Sequence, residues 1–369
     1  MELKIAVAEL SKALQRVQGI VEKKTTMPIL ANVLLETRGT DGLTVSATNL
    51  EVGLTGTYPA QVASEGSITL AGRSLYDIVK SLPGETLVFK RTANNWVEIT
   101  SGKVNYKVVG VAADGFPTLP KFEDVACVPI DAATFREMIR KTIYSVSTDE
   151  TRFNLTGVYC EPLAQGPGLR MVSTDGHRLS MIDRPMEKAP PMKKGVLIPR
   201  KGLIELRKLL EDGDRPGQLG FVENSAVFEK DGLTLTMQLL EGQFPDYQQV
   251  IPNASPRKVR VAKDLFHAAL RRTSLLSPDK AQGVRIDLQP GLLALSANNP
   301  DLGEAREELE VEYAGETLKV GFNFKYLLDV LEVLDEARVE FELTDALSPG
   351  VLRGVGAEDY RAIIMPMRI

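Results

Sequence analysis

The feature that most constrains the fold of this chain is an internal repeat, with three copies offset by roughly 125 residues. The copies begin alike, with LKIAVAELSKALQRV from Leu3, CVPIDAATFREMIRKTIYSVS from Cys127 and RKVRVAKDLFHAALRRTSLLS from Arg257. In each copy a short alternating stretch typical of a strand runs into apolar residues at helical spacing, such as Leu10 and Leu14. The chain must therefore fold as repeated units that each pack a helix on strands.

A second set of matching segments divides each repeat into two halves. ITLAGRSLYDIVKSL starts at Ile68, VLIPRKGLIELRKLL at Val196 and LKVGFNFKYLLDVLEVL at Leu318. Runs such as NNWVEITSGKVNYKVVG and SAVFEKDGLTLTMQL have the alternation and turn residues of antiparallel strands. We predict an α+β fold of three similar domains, each made of two halves that combine a helix with antiparallel sheet.

Proline-rich segments mark where one domain ends and the next begins. DGFPTLPKFED and EGQFPDYQQVIPNASP occupy equivalent places, just before the next strand and helix. We place an N-terminal domain at 1–124, a central domain at 125–253 and a C-terminal domain at 254–369.

Composition narrows the class of protein. Of the 369 residues 43% are hydrophobic and 25% charged, as in ordinary globular proteins, and no apolar run is long enough to span a membrane. The start, MELKIAVAELSK, lacks the pattern of a signal peptide, which predicts a cytoplasmic protein. The two cysteines, Cys127 and Cys160, are predicted to be free thiols. With only two histidines besides, a closed zinc site is not expected, and we predict no cofactor.

The stretch STDGHRLS, which contains Ser173, Asp175 and His177, raises the question of catalysis. The repeat aligns it with SATNLEVG and SANNPDLG in the other two thirds, so it is first of all a structural element between strands. Neither a Gly-x-Ser-x-Gly elbow nor a phosphate-binding Gly-x-x-x-x-Gly-Lys loop occurs. We favour a specialised binding surface over an ordinary turn. A hydrolase that uses Asp175 and His177 remains an alternative.

The predicted helices carry a charge opposite to that of the whole chain. Taken as 8–18, 73–82, 131–145, 200–211, 262–276 and 324–335, they contain 15 Lys or Arg and 10 Asp or Glu, whereas the chain has a net charge of −5. Solvated helix faces would explain this for each helix separately. A surface that faces a polyanion would explain it for all six together. An assembly scaffold that never meets DNA is a further alternative.

Geometry favours two chains around a duplex. Six helices side by side at about 9–10 Å close a circle of roughly 18 Å, which leaves almost no hole. Twelve helices close a circle of roughly 36 Å, with about 26 Å free, and a duplex roughly 20 Å wide fits within it. Two chains of three domains would have to join head to tail.

The uneven charge of the end domains supports such a contact. The first domain has 13 basic and 13 acidic residues, and the third has 15 basic and 19 acidic, seven of them between Asp301 and Glu316. The predicted dimer interface comprises Lys103, Tyr106, Lys107 and Val108 of the first domain with Leu275, Leu276, Asp301 and Glu304 of the third.

Six motifs spread over the whole chain resemble those of one family. TMPIL, STDGHRL, IPRKG, GQFPDY, GFNFKYLLDVL and the terminal MPMRI occur in the order found in the bacterial DNA polymerase III beta subunit, the sliding clamp. The resemblance implies a DNA clamp fold, a head-to-tail dimeric ring with helices lining the hole. It also implies a processivity factor in DNA replication, which encircles duplex DNA and tethers the replicative polymerase. Such a protein is not an enzyme and has no 3'-5' exonuclease activity.

The resemblance also implies binding sites. The partner-peptide pocket, shared by the central and C-terminal domains, would comprise Arg152, Leu155, Thr174, Gly176, His177, Arg178, Leu179, Pro245, Val250, Asn323, Tyr326, Leu347, Ile363, Ile364, Met365, Pro366, Met367 and Arg368. It would bind short linear motifs of the polymerase catalytic subunit, the clamp loader, other polymerases, and mismatch-repair or ligase proteins. Aliphatic residues and methionines suit an adaptable apolar groove, to which His177, Arg178 and Arg368 would add polar anchoring.

Sequence-independent contacts to duplex DNA are implied for Lys24, Arg73, Lys80, Arg200 and Lys201, with weak and salt-dependent affinity. Gln249, Pro349 and Asp149 depart from the family pattern. Gln249 and Pro349 lie at the predicted pocket, where they bear on the preference for peptides and not on the existence of the pocket, and Asp149 replaces a polar residue at a DNA-facing position.

Overall fold

A computed structural model describes residues 1–22, 26–119, 125–192, 194–213, 215–252, 255–277 and 282–368. Within these ranges the six α-helices are α1 (Val7–Val17), α2 (Gly72–Ser81), α3 (Ala132–Ile143), α4 (Arg200–Glu211), α5 (Lys263–Ser274) and α6 (Phe324–Val333). Each end lies within two residues of the predicted one, because apolar spacing marks the buried turns of a helix and leaves its frayed ends undefined. None of the described helices is long and apolar enough to cross a membrane.

Runs of four or five strands separate each α-helix from the next along the chain. The first thirteen are β1 (Glu2–Ala6), β2 (Asn32–Thr37), β3 (Gly42–Thr48), β4 (Val52–Pro59), β5 (Gln61–Ser64), β6 (Gly66–Ala71), β7 (Thr86–Arg91), β8 (Trp96–Ser101), β9 (Val104–Val109), β10 (Cys127–Ile130), β11 (Gly157–Pro162), β12 (Gly168–Thr174) and β13 (Arg178–Pro185). The others are β14 (Val196–Pro199), β15 (Gly217–Val222), β16 (Ser225–Lys230), β17 (Leu233–Gln238), β18 (Arg257–Ala262), β19 (Gly283–Gln289), β20 (Leu292–Asn299), β21 (Gly303–Glu310), β22 (Leu318–Asn323), β23 (Arg338–Leu343), β24 (Gly350–Gly354) and β25 (Tyr360–Ile364).

The chain divides into two compact units. The first joins Met1–Ala133 with Lys201–Leu239. It has a five-stranded sheet, in the order β5-β1-β7-β8-β9, and an eight-stranded sheet, in the order β10-β15-β16-β17-β4-β3-β2-β6. Helices α1 and α2 pack against each other, and α1 buries Leu10, Ala13, Leu14 and Val17 at helical spacing.

The second unit joins Thr134–Arg200 with Leu240–Ile369. Its eight-stranded sheet has the order β14-β11-β12-β13-β25-β24-β23-β18, and its four-stranded sheet the order β21-β20-β19-β22. All the strand pairs are antiparallel, as the alternating sequences predict. Helices α5 and α6 pack together, and α5 buries Phe266, Ala269, Leu270 and Thr273.

The two units do not coincide with the three predicted domains. In the first unit β17 pairs with β4, and in the second β13 pairs with β25, so each eight-stranded sheet runs across a predicted boundary. Backbone hydrogen bonds between strands distant in sequence leave no trace in local composition. The boundaries at 124 and 253 stay a prediction that rests on the repeat.

Candidate functional site

The strand pair β13 and β25 forms the centre of the predicted peptide pocket. Leu179 pairs with Ile363 across the two strands, and β24 borders β25 on its other side. Beyond β25, the Met365 N–H donates a hydrogen bond to the carbonyl of His177 at 2.9 Å. Met365 therefore lies directly beside the turn within the STDGHRLS stretch.

A buried apolar cluster underlies this strand pair. It comprises Leu155, Val172, Leu179, Met181, Leu197, Phe244, Tyr247, Val351 and Ile363. The ring of Tyr159 stacks on that of Phe244, with 5.0 Å between ring centroids. Three of the predicted pocket residues, Leu155, Leu179 and Ile363, belong to this cluster. Because such a cluster is close-packed, the surface above it is preformed.

Large apolar side chains remain exposed within a few positions of cluster members. They are Val250, Leu347 and Met365, and Leu347 is 73% exposed. Large apolar side chains left exposed on a folded protein are candidates for an interaction site. We call the cluster together with these three exposed residues the groove.

Phe153 is an exposed aromatic residue, two positions from the cluster member Leu155, that the sequence does not reveal. It is 57% exposed and lies in the 3-10 helix Glu150–Leu155, which ends at a member of the buried cluster. Its ring lies over Gly242, where a Cβ atom would come within 2.9 Å of a ring carbon and where φ is +115°. A lone phenylalanine in a sequence normally indicates a core residue, so only the fold shows that this one faces solvent.

The remaining predicted pocket residues differ in their exposure. Pro245 and Arg368 are exposed, Pro366 and Met367 are half-buried, and Ile364 is fully buried. The Met367 N–H donates to the Gly321 carbonyl at 2.9 Å, which holds the C-terminal run against β22. Two residues at the predicted pocket depart from the family pattern. The side-chain amide of Gln249 donates to Asp246 at 2.8 Å, and Pro349 is half-buried.

The turn between β12 and β13 is held by its own side chains. One carboxylate oxygen of Asp175 accepts the backbone N–H groups of His177 and Arg178, at 2.9 and 3.0 Å. The Thr174 hydroxyl donates to the Arg178 carbonyl and accepts the N–H of Gly176. Gly176 has φ of +90°, a conformation that disfavours other residues. These bonds present the exposed His177 at the edge of the groove.

The same geometry opposes the hydrolase alternative. The Ser173 hydroxyl is buried and donates to the carbonyl of Thr142 at 2.5 Å. The carboxylate of Asp175 is occupied by the turn and by the Arg178 side chain, at 3.0 Å. Among the described residues no hydrogen bond joins the His177 imidazole to either group. A nucleophile, a base and an orienting carboxylate are thus not assembled here.

A polar cleft of about 350 Å³ borders the turn. Arg152 lies on its wall and donates to the Asp175 carbonyl at 3.0 Å. Asp149 accepts both the N–H and the hydroxyl of Thr151, and these hydrogen bonds hold the pKa of the Asp149 carboxyl below its ordinary value. Because this carboxyl is ionised at neutral pH, it would repel rather than bind a DNA phosphate.

Asn323 and Tyr326 lie at the start of α6. The Asn323 side chain caps the helix by accepting the N–H of Lys325 at 2.9 Å. The Tyr326 ring lies 4.5 Å from the guanidinium of Arg178. Both residues therefore hold elements in place, a role that their positions in the sequence do not reveal.

The predicted DNA contacts lie on helices in the described part of the chain, except Lys24, which falls outside the described residues. Arg73 and Lys80 are exposed on α2, seven positions apart and hence on one face. Arg200 is the exposed first residue of α4, and Lys201, the next residue, pairs with Glu22 at 3.3 Å.

The predicted dimer contacts lie at the edges of the two smaller sheets. Tyr106, Lys107 and Val108 belong to β9, the last strand of the five-stranded sheet, whereas Lys103 lies in the turn before it. Glu304 belongs to β21, the last strand of the four-stranded sheet, and Asp301 to the turn before it. At the end of α5, Leu275 is 76% exposed and Leu276 is half-buried.

Three family models match the chain, one for each third. They are the N-terminal, central and C-terminal domains of the DNA polymerase III beta subunit, matched by residues 1–120, 129–246 and 248–368. A beta sliding clamp of Pseudomonas aeruginosa is 36% identical over 372 residues, with all of both chains covered.

Solved structures agree with these matches. The DNA polymerase III subunit beta of Pseudomonas aeruginosa has a TM-score of 0.94 at 34% identity, with 100% of both chains covered. The sliding clamp of Bartonella birtlesii, solved bound to griselimycin, has a TM-score of 0.95 at 32% identity, again with full coverage of both chains.

The repeated helix-and-sheet fold and these matches define the class of this protein as a DNA clamp. Within that class, the chain belongs to the DNA polymerase III beta subunit family, the sliding clamps of bacterial DNA replication. It is accordingly a non-catalytic processivity subunit of DNA polymerase III, as the sequence motifs predict.

Proposed function

We propose that two copies of the chain close head to tail into a ring that encircles duplex DNA. The observation that carries this proposal is the full-length family match, since the matched relatives are named sliding clamps. A closed ring leaves a long duplex only by opening or by sliding off an end. Residence on DNA would therefore depend on the dimer interface and not on affinity for DNA.

Two exposed sheet edges support the proposed interface. Strand β9 pairs only with β8, and β21 only with β20, among the described strands. An unpaired edge presents free backbone groups that another strand can bind. The β9 side carries Lys103 and Lys107, and β21 carries Glu304, so the charges of the two edges are complementary. Leu275 and Leu276 would add apolar contact beside the strands.

We infer that the groove docks partner peptides. The buried cluster and the exposed Val250, Leu347 and Met365 support a site for aliphatic or aromatic side chains. The proposed partners are the replicative polymerase catalytic subunit, the clamp loader, other polymerases, and mismatch-repair or ligase proteins. The ring would act in the cytoplasm, at the nucleoid, and the domains at 1–124, 125–253 and 254–369 would be its building blocks.

The proposed contacts to the duplex are weak and independent of sequence. Exposed cations at Arg73, Lys80 and Arg200 support them, with Lys201 and Lys24 added from the family pattern. Contacts to phosphates alone carry no base information and allow sliding.

The decisive experiment compares retention on nicked circular and linear duplex after loading. We expect the wild type to stay on the circle and to leave the linear form, because only free ends release a closed ring. Leu275→Ala/Leu276→Ala should weaken the dimer at least about tenfold and lose retention on the circle. Sedimentation equilibrium measures the dissociation constant of the dimer directly.

Leu265→Ala serves as the matched control, since Leu265 is 60% exposed on α5, the helix that Leu275 follows, and belongs to none of the proposed sites. This variant should keep the dimer and retention on the circle. Equal loss of the loaded wild type from both DNA forms would refute the ring and favour a scaffold that works without DNA.

A further inference from the structure

Arg178 lies between Tyr144 and Tyr326 in the lining of the polar cleft and is largely hidden from solvent. Its side chain is 11% exposed. The guanidinium lies over two tyrosine rings, 5.3 Å from the centroid of Tyr144 and 4.5 Å from that of Tyr326. Cation–π contacts of this kind strengthen when the groups are desolvated.

All three guanidinium nitrogens of Arg178 already donate hydrogen bonds. Nε donates to Asp175 at 3.0 Å, Nη1 to the carboxylate of Asp329, and Nη2 to the Tyr144 carbonyl at 2.7 Å. Two carboxylates therefore neutralise the one positive charge. This differs from the polar anchoring that the sequence suggests, because the charge of Arg178 points inward.

These contacts connect the turn to α6. Asp175 holds the turn through its other carboxylate oxygen, which accepts the N–H of His177. Asp329 and Tyr326 both belong to α6. Since the His177 carbonyl in turn accepts the Met365 N–H, a shift of the turn would move the C-terminal wall of the groove as well.

The charge of Arg178 is secure at working pH. Burial by itself lowers the pKa of the guanidinium, but the hydrogen bond to Asp329 and the charges of Asp175 and Asp329 outweigh burial, so the pKa is raised. The guanidinium therefore stays positively charged over the working range of pH.

On the basis of the proposed groove, we propose that Arg178 is a positioning residue that fixes the β12–β13 turn against α6 and makes no charged contact with a bound peptide. Arg178 thereby sets the spacing between the turn and the C-terminal run, on which the fit of a peptide depends. A site loosened by about 1 Å loses much of its affinity, even when every contact residue is present.

The test uses two labelled peptides and three variants of the full chain. One peptide is a short segment of the cognate replicative polymerase subunit, selected for binding to the wild type, and the other has every Asp and Glu of that segment replaced by Asn and Gln. The variants are Arg178→Met, Asp329→Asn and the double substitution. Fluorescence anisotropy gives the dissociation constants.

We expect Arg178→Met to weaken both peptides by the same factor, at least about tenfold. Asp329→Asn should weaken both by a smaller common factor, although Asp329 is not a predicted pocket residue. The double variant should lose no more than Arg178→Met, since the two substitutions break one connection. A loss confined to the acidic peptide would overturn the proposal, because it would show a direct ion pair with Arg178.

Two further measurements keep the outcome interpretable. The dissociation constant of the dimer and the urea midpoint of each variant are compared with those of the wild type. If Arg178→Met does not fold, the peptide affinity of Asp329→Asn tests the proposal by itself. Unchanged affinity in a folded Asp329→Asn variant would then contradict the proposal. Failure of the wild type to bind any polymerase peptide would instead contradict the proposed groove.

Discussion

Among single residues, a buried lysine on β16 caps the C-terminal end of α4. Lys230 is 5% exposed, and its ammonium group donates to the carbonyls of Leu209 and Gly213, at 3.3 and 2.7 Å. Carbonyls at the end of a helix have no partner within the helix and carry partial negative charge. Lys230 therefore supplies both hydrogen bonds and a favourable charge at the end of α4.

Replacing this lysine should destabilise the chain. Lys230→Met keeps the length of the side chain but leaves the carbonyls unpaired, which should cost about 1–3 kcal/mol of the free energy of unfolding. Urea unfolding followed by circular dichroism measures the loss. Lys258→Met is the control, because Lys258 is a half-exposed strand lysine that should change stability by less than about 0.5 kcal/mol. Equal effects of the two substitutions would disprove the capping role.

At the scale of elements, ion pairs join α3 to the neighbouring sheet. Glu137 on α3 lies 2.8 Å from the ammonium of Lys141 and 2.8 Å from the guanidinium of Arg184 on β13. Burial raises the pKa of the Glu137 carboxyl, but the hydrogen bonds and charges of Arg184 and Lys141 outweigh burial and lower it overall. The ionised form is thus favoured in the folded state.

This pKa shift predicts how stability depends on pH. A carboxyl with a lowered folded pKa stabilises the fold above its unfolded pKa of about 4.3. The stabilisation is lost as pH falls through the folded value. Glu137→Gln should therefore be less stable than the wild type at pH 7, and the difference in urea midpoint should shrink toward pH 3. Glu358→Gln, at an exposed site, should show no such trend. A difference in urea midpoint that stays constant from pH 7 to pH 3 would show that the ion pairs are not its cause.

At the scale of the whole molecule, affinity for DNA and residence on DNA are separate properties. Arg73→Gln/Lys80→Gln removes two proposed phosphate contacts, so the slope of log affinity against log salt should fall in magnitude by about 2. Fluorescence anisotropy of a short labelled duplex, recorded over a series of salt concentrations, measures this slope. The control, Lys90→Gln, replaces a sheet lysine that pairs with Glu2 at 3.0 Å and should leave the slope unchanged. An unaltered slope in the double variant would show that Arg73 and Lys80 of α2 do not contact DNA.

Some residues of the groove could be predicted from the sequence and others could not. The family resemblance predicts Leu155, Leu179 and Ile363, and the structure gathers these three into one cluster. Phe153 was missed, and the sequence did not indicate that the Arg178 guanidinium pairs with Asp175 and Asp329, since both features depend on which side of the chain faces solvent. At these two positions exposure is set by packing between segments far apart in sequence, and the local pattern does not show it.

The repeat, the six helices to within two residues at each end, and the family can all be predicted from the order of residues, because periodicity and motifs are local. The pairing of β17 with β4 and of β13 with β25, and the position of Arg178 between Tyr144 and Tyr326, are visible only in the folded chain. Backbone pairing and side-chain burial depend on which distant segments meet, and that choice is made by the packing of the whole chain.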